Sequence, residues 1–247
     1  MVGKRMLNYV QLMIMHLIGD FYLQSDKVAR CKNARISDNC KACTKCKKGS
    51  SLNFGYVVLH SLIYVIPFLL LLFMANIKTV AAIVVALLLS HVLIDAIACW
   101  ANKKAKATVV FLIDQAVHFG VLYLICKYAS LDMISSAYAT PIKVTFIVLL
   151  LIAPCSILIN KLMEDTFPGT VSVGLFDVGS IIGILERLLV VIFAYLGDLA
   201  AIAIIITVKT WARTADLKKK GFRNRYLLGT LASLVLAALV FMLYKTI

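Results

Sequence analysis

Four histidines stand in this chain, at positions 16, 60, 91 and 118, and each falls inside a run of apolar residues. Three of them have an aspartate four residues away: His16 with Asp20, His91 with Asp95, and His118 with Asp114. On a helix, a separation of four puts both side chains on one face. Neutral imidazole and carboxylate together suit Zn, Mn, Fe or Ni. His16, His60, His91, His118, Asp20, Asp95 and Asp114 are therefore candidate metal ligands, with zinc expected ahead of manganese or iron. They could hold one ion whose imidazoles are oriented by outer carboxylates, or two ions bridged by an aspartate. In a catalytic reading, one of Asp20, Asp95 and Asp114 is a ligand and another is the general base. Two alternatives need no resident metal: a His–Asp network that pins helices together, and a proton or ion pathway.

Further polar residues extend this set toward a substrate. Gln24 and Lys27 continue the face of His16, and Gln115 adjoins Asp114. Glu186 and Arg187 open a later apolar run in GILERLLVV; they read either as an ion pair or as an anion clamp beside the metal. Ser61 and Ser90 each neighbour a histidine, but adjacent helical residues point in different directions, so they carry little weight.

A second constellation lies between the first two apolar runs. The segment 25–54 holds Cys31, Cys40, Cys43 and Cys46 in the pattern C-x8-C-x2-C-x2-C. Four thiolates at such spacing suit zinc, and three at x2 intervals also suit an iron–sulfur cluster. Zinc is the first expectation. Disulfides would take precedence only if this loop faced an oxidising compartment. Cys99, Cys126 and Cys155 are dispersed in apolar runs and read as packing residues.

The elements that must position these groups are membrane helices. The chain of 247 residues is 62% hydrophobic and 15% charged, with a mean hydropathy of +0.94, far from the composition of a soluble domain. Apolar runs at roughly 7–24, 55–73, 78–101, 107–127, 143–162, 181–197, 198–213 and 226–244 predict an all-α polytopic protein of seven to eight transmembrane helices. The runs at 181–197 and 198–213 are short and fit a helical hairpin that crosses only in part. Assigning the cysteine loop to the cytoplasm puts 20 of the 26 Lys and Arg on that side, as the positive-inside rule requires. The net charge of +14 is then accounted for without a nucleic acid, and the basic segments can rest on anionic lipid headgroups.

Depth follows from this orientation. At about 1.5 Å per residue, His16, Asp20, His60, His91, Asp95, Asp114 and His118 all fall about 6–16 Å from the cytoplasmic ends of four antiparallel helices. One layer in the cytoplasmic leaflet is predicted, although only Lys and Arg set the topology. Charged groups at such depth are costly and face a protein interior. The expected organisation is a five-helix unit over 1–162 and a C-terminal helical unit over 163–247, integrated into one membrane domain.

HLIGDFYLQSDK, HVLIDA and FLIDQAVH, with GILERLL further on, resemble a bacterial membrane-protein family known as domain of unknown function 3307. That resemblance implies a helical membrane fold, a bacterial cytoplasmic-membrane location and the same site residues; it implies no activity. The cysteine segment departs from the family's pattern. More remotely, His-x3-Asp on a membrane helix is similar to membrane-bound metal-dependent hydrolases. The leading expectation is a metal-dependent hydrolase acting on a lipid or lipid-linked substrate at the cytoplasmic leaflet. A transporter or channel for a metal ion, proton or small solute is the alternative. A sensor or assembly subunit, docking a cytoplasmic protein or a second copy through the cysteine loop, is the third.

Overall fold

The computed structural model describes residues 2–25, 28–29, 54–102, 104–129, 131, 136–169, 175 and 177–247, and every regular element among them is helical. The chain divides into two compact units, 1–146 and 147–247. In the first, α1 spans Val2–Leu17 and continues as a π-helical turn, Ile18–Tyr22. α2 spans Phe54–Tyr64 and tightens into a 3-10 segment, Ile66–Phe73; Pro67, with no N–H to donate, stands at the start of that segment. α3 is Ile77–Ala101 and α4 is Ala107–Tyr128. α5, Ala139–Thr166, begins in the first unit and continues in the second. α6 (Val178–Leu196), α7 (Leu199–Ala212), α8 (Thr214–Leu217) and α9 (Lys220–Thr246) complete the second unit.

Among the described residues, six helical segments are long and apolar enough to cross a membrane: Phe54–Phe73, Ile77–Ala101, Ala107–Tyr128, Ala139–Thr166, Val178–Leu196 and Lys220–Thr246. Large apolar side chains such as Leu70, Leu89, Leu93 and Ile113 are exposed on them, which suits contact with lipid tails. Two of the eight predicted runs differ. The first is only partly α-helical, because the ladder widens to π at Ile18. The seventh is α7, whose 14 residues fall short of the about 20 needed to cross.

The turn between α6 and α7 falls at 197–198 and local chemistry explains it, but α6 is long and apolar enough to cross, unlike the partial crossing expected of both runs. Gly197 takes a left-handed conformation (φ 77°) that ends α6, and the Asp198 side chain accepts from Ala201 N–H to start α7. Asn76 caps α3 in the same way, accepting from Thr79 N–H at 2.9 Å.

Within the first unit the helices close a ring. α1 packs on the 3-10 segment after α2 and on α4, α2 packs on α3, and α3 packs on α4. Such a bundle turns one stripe of each helix inward. α1 is held on several sides: Leu7, Val10, Leu12, Met13, Met15 and Leu17 are all buried. Polar residues on it find distant backbone acceptors, Asn8 Nδ2 donating to the Leu131 carbonyl (3.0 Å) and Tyr9 Oη to the Phe119 carbonyl (3.0 Å).

The π turn and the end of α2 approach each other closely at Gly19. A Cβ built on Gly19 would collide with the Tyr64 carbonyl oxygen, and would lie 3.1 Å from Tyr64 Cα. Only glycine lets the two backbones come this near. The contact sets the position of the next residue, Asp20.

Candidate metal centre

Asp20 lies at the middle of a buried cluster built from all four ring helices. Its Oδ1 is 2.9 Å from His60 Nε2 on α2 and 3.7 Å from His91 Nε2 on α3. His60 Nε2 is also 3.7 Å from Asp95 Oδ2 on α3. The His91 and His118 rings stand 4.6 Å apart, centre to centre. His16, His60 and His91 have no exposed surface, and His118, Asp95 and Asp20 are also buried. π turns recur at functional sites, and this one carries Asp20.

Hydrogen bonds assign the imidazole tautomers. Ser61 Oγ donates its one proton to the Val57 carbonyl (2.9 Å), so at 3.2 Å it must accept from His91 Nδ1–H. His118 Nδ1–H donates to the Asp114 carbonyl at 2.9 Å. Both rings therefore point a bare Nε2 lone pair into the cluster, and neither Nε2 has a hydrogen-bond partner among the described residues. At His91 that lone pair faces a carboxylate oxygen, so two acceptors confront each other with no proton between them. A cation placed there would satisfy both.

His16 is different. Gln115 Nε2 donates to Asp20 Oδ2 (3.0 Å) and Asp114 Oδ2 (3.1 Å), which turns its Oε1 toward His16 Nε2 (3.2 Å). His16 thus donates from Nε2, and its Nδ1 accepts from the Tyr64 hydroxyl at 3.2 Å. Both His16 ring nitrogens are hydrogen-bonded, and His16 falls outside the two candidate ligand groupings.

Among the described residues, two candidate ligand sets stand out: Asp20 with His60 and His91, and Asp95 with His91 and His118. Each is two imidazoles and one carboxylate, the donor set of catalytic zinc with an open fourth position and of non-haem Fe(II). Tetrahedral bonds of about 2.0–2.1 Å would set ligand atoms roughly 3.3 Å apart. The separations of 2.9 and 3.7 Å around Asp20 bracket this value.

The other predicted residues fall around this centre or away from it. Asp114 lies outside both ligand sets; it accepts from Gln115 and its carboxylate is 3.8 Å from His118 Nδ1. Gln115 joins His16, Asp20 and Asp114, as a partner in the cluster. Gln24 sits half-buried in the bend after the π turn. Glu186 and Arg187 belong to the second unit and do not pair with each other: Glu186 Oε2 accepts from Lys209 Nζ, and Arg187 bonds Leu151, Ser156 and Ser233. Lys27 and the four cysteines of the metal-knuckle expectation, Cys31, Cys40, Cys43 and Cys46, lie outside the described residues. Cys99, Cys126 and Cys155 are buried, in keeping with packing roles.

Tyr64 is a residue that sequence reasoning missed, and Ser61 is one that it noticed beside His60 and discounted. Tyr64 stacks on His91 with ring centres 3.8 Å apart and also bonds His16. Its signal was its place one turn beyond His60 on α2. Ser61 serves His91 on the facing helix, a pairing that no spacing along one chain segment reveals.

One consequence separates ligands from positioning residues. In His16→Ala the number of ions bound per chain is expected to stay the same, while affinity falls about 10–100-fold, as it does when a residue that orients a ligand is lost. Chelator competition followed by elemental analysis reads both quantities. A loss of stoichiometry would return His16 to the ligands.

A family model described as protein of unknown function (DUF3307) matches residues 9–147. That span holds all four histidines together with Asp20, Asp95 and Asp114, while GILERLL, at 183–189, lies beyond it. No curated protein and no solved structure matches the chain, so the remoter likeness to metal-dependent hydrolases gains no support from these comparisons.

Proposed function

The chain belongs to the DUF3307 family of proteins of unknown function, and from the cluster carried by the matched span we propose that it is an intramembrane metal-dependent hydrolase acting on a lipid or lipid-linked substrate at the cytoplasmic leaflet. The observation that supports this most is the buried Nε2 lone pair of His91, fixed by its Nδ1 anchor and 3.7 Å from Asp20 Oδ1. A metal-free network would leave this acceptor unmet at a cost of about 1–3 kcal/mol. Zinc is the first expectation, with manganese and iron compatible with the same donors.

In this reading Asp20, His60 and His91 hold the ion. A divalent ion in such a site polarises the substrate and activates water. Asp95, 3.7 Å from His60 Nε2, takes the proton as general base. Gln115 fixes Asp20, Ser61 fixes His91, and Tyr64 and His16 wall the site. The cytoplasmic leaflet follows from the Lys and Arg distribution and the shallow depth of the layer. The loop at 25–54 would carry a second metal, zinc or an iron–sulfur cluster, and could dock a cytoplasmic protein.

A specific observation favours one other reading. His91 is common to both ligand sets, so one imidazole could pass a cation from the Asp20 side to the Asp95 side, as an ion pathway requires. The deciding experiment loads the purified chain with zinc and follows two signals. Release of product from a panel of phospholipids and lipid-linked amides, abolished by chelation and restored by metal, supports the hydrolase. Metal or proton flux in proteoliposomes, with no turnover of any lipid, would replace it with the pathway.

A further inference from the structure

A polar cleft in the second unit has no part in the proposed hydrolase. It is a cavity of about 270 Å³ between α5, α6, α7 and α9, near the lower end of small-molecule pockets. Its wall carries Arg187, which is only 3% exposed. The guanidinium donates from Nε to the Leu151 carbonyl (3.0 Å), from Nη1 to Ser233 Oγ (3.5 Å) and from Nη2 to Ser156 Oγ (2.5 Å). All three partners are neutral. No carboxylate lies within ion-pair distance of this guanidinium among the described residues. Two of its five N–H groups are left over. A buried cation lacking a counter-ion is unfavourable unless an anion completes it.

The other charges around the cleft do not supply that anion. Glu186 is taken by Lys209. Asp177 caps its own helix at Gly179 N–H (3.2 Å). Arg225 adds a second positive charge, with its guanidinium 5.5 Å from the Phe167 ring centre. Apart from Ile159 and Asn160, the remaining lining is small or hydroxylated. Gly183 faces Arg187, where a Cβ would already lie 3.4 Å from Nη1, and Ser180 and Thr230 offer hydroxyl donors.

We infer that this cleft binds a phosphate group, carried on a lipid headgroup or free, with Arg187 as its buried counter-charge. Arginine's fork of donors matches a tetrahedral oxyanion better than a single ammonium does. Several hydroxyls beside it can serve the remaining oxygens, which a carboxylate would leave unused. The membrane that the unit's apolar helices call for is itself a supply of such groups.

The test is native mass spectrometry of the full chain in detergent, titrated with short-chain phosphatidate, inorganic phosphate, or short-chain diacylglycerol. One saturable phosphatidate per chain is expected, weakened at least tenfold by Arg187→Gln. Ser180→Leu fills the cleft from α6 while leaving all three Arg187 bonds in place, and is expected to weaken binding equally. It decides the matter if the arginine variant does not fold. Competition by inorganic phosphate would show that the free ion suffices, and its failure would assign the site to the headgroup; either supports the inference. Diacylglycerol binding as tightly as phosphatidate, undiminished binding in Ser180→Leu, or no saturable binding of either phosphate probe would overturn it. The His/Asp cluster lies in the other unit, so its metal content in these variants is expected to match the wild type.

Discussion

His91→Ala is expected to leave the purified chain nearly empty of membrane-bound metal. His91 is the one residue shared by both ligand sets, so its loss reduces each to a single imidazole and a single carboxylate. Loss of an orienting partner alone costs about 10–100-fold in affinity, and loss of a shared ligand should exceed the upper end of that range. Elemental analysis after dialysis against a weak chelator reads the result. Ser61→Ala, which removes only the Nδ1 acceptor of His91, supplies the graded comparison and should fall within the 10–100-fold interval. Any metal on the cysteine loop is counted separately in a variant with those cysteines replaced. A His91→Ala protein that is folded by helical circular dichroism and still binds metal at wild-type strength would remove His91 from the centre.

Gly19→Ala should be far more damaging than the same methyl added at Gly120, the other glycine of the first unit whose surroundings are described. The new Cβ would meet the carbonyl oxygen and backbone carbons of Tyr64, and backbone cannot rotate aside as a side chain can. The π turn and α2 must separate, and Asp20 is drawn away from His60, now 2.9 Å distant. Overpacking of this kind costs about 1–3 kcal/mol, a large part of the roughly 5–15 kcal/mol that holds a typical fold. Melting should fall by about 2–4 °C for each kcal/mol in a chain of this size, with metal affinity reduced as well. Gly120, on α4, has nothing within 4 Å of its Cβ position. Gly120→Ala is therefore the control, expected to be neutral or to gain up to about 1 kcal/mol of helix propensity. Equal thermal stability of the two variants would show that the Gly19 approach carries no strain.

Much of this was legible from residue types and spacing. Long apolar runs define helices because the hydrocarbon core leaves the backbone no other partner, and His and Asp inside such runs must turn inward. The i, i+4 pairs marked the faces, and the Lys and Arg distribution placed the faces at one depth. Roles within the cluster were not legible. His16 looks like a ligand until the amide of Gln115 is oriented, and that orientation depends on two carboxylates from different helices. The π turn is invisible to helical periodicity, because Ile18–Tyr22 is as apolar as an α-helical turn would be. Glu186 and Arg187 adjoin in sequence, yet Glu186 finds Lys209 across the α6–α7 hairpin, and Arg187 turns to α5 and α9. Adjacent helical positions diverge, and only the packing shows where each goes.

The deep burial of α1 has a consequence for how the protein is made. This helix precedes in the chain everything that encloses it. Asn8 waits for a carbonyl 123 residues later, and His16 waits 48 residues for Tyr64 and 99 for Gln115. During synthesis, α1 therefore leaves the ribosome as a polar-studded helix with none of its partners yet in existence. Its buried polar groups are poorly suited to lipid on their own, so shelter by the insertion machinery until α4 has emerged is the expected consequence. The ring closes only when α4 packs on α1, and a nascent chain halted before α4 should remain bound to the translocation apparatus.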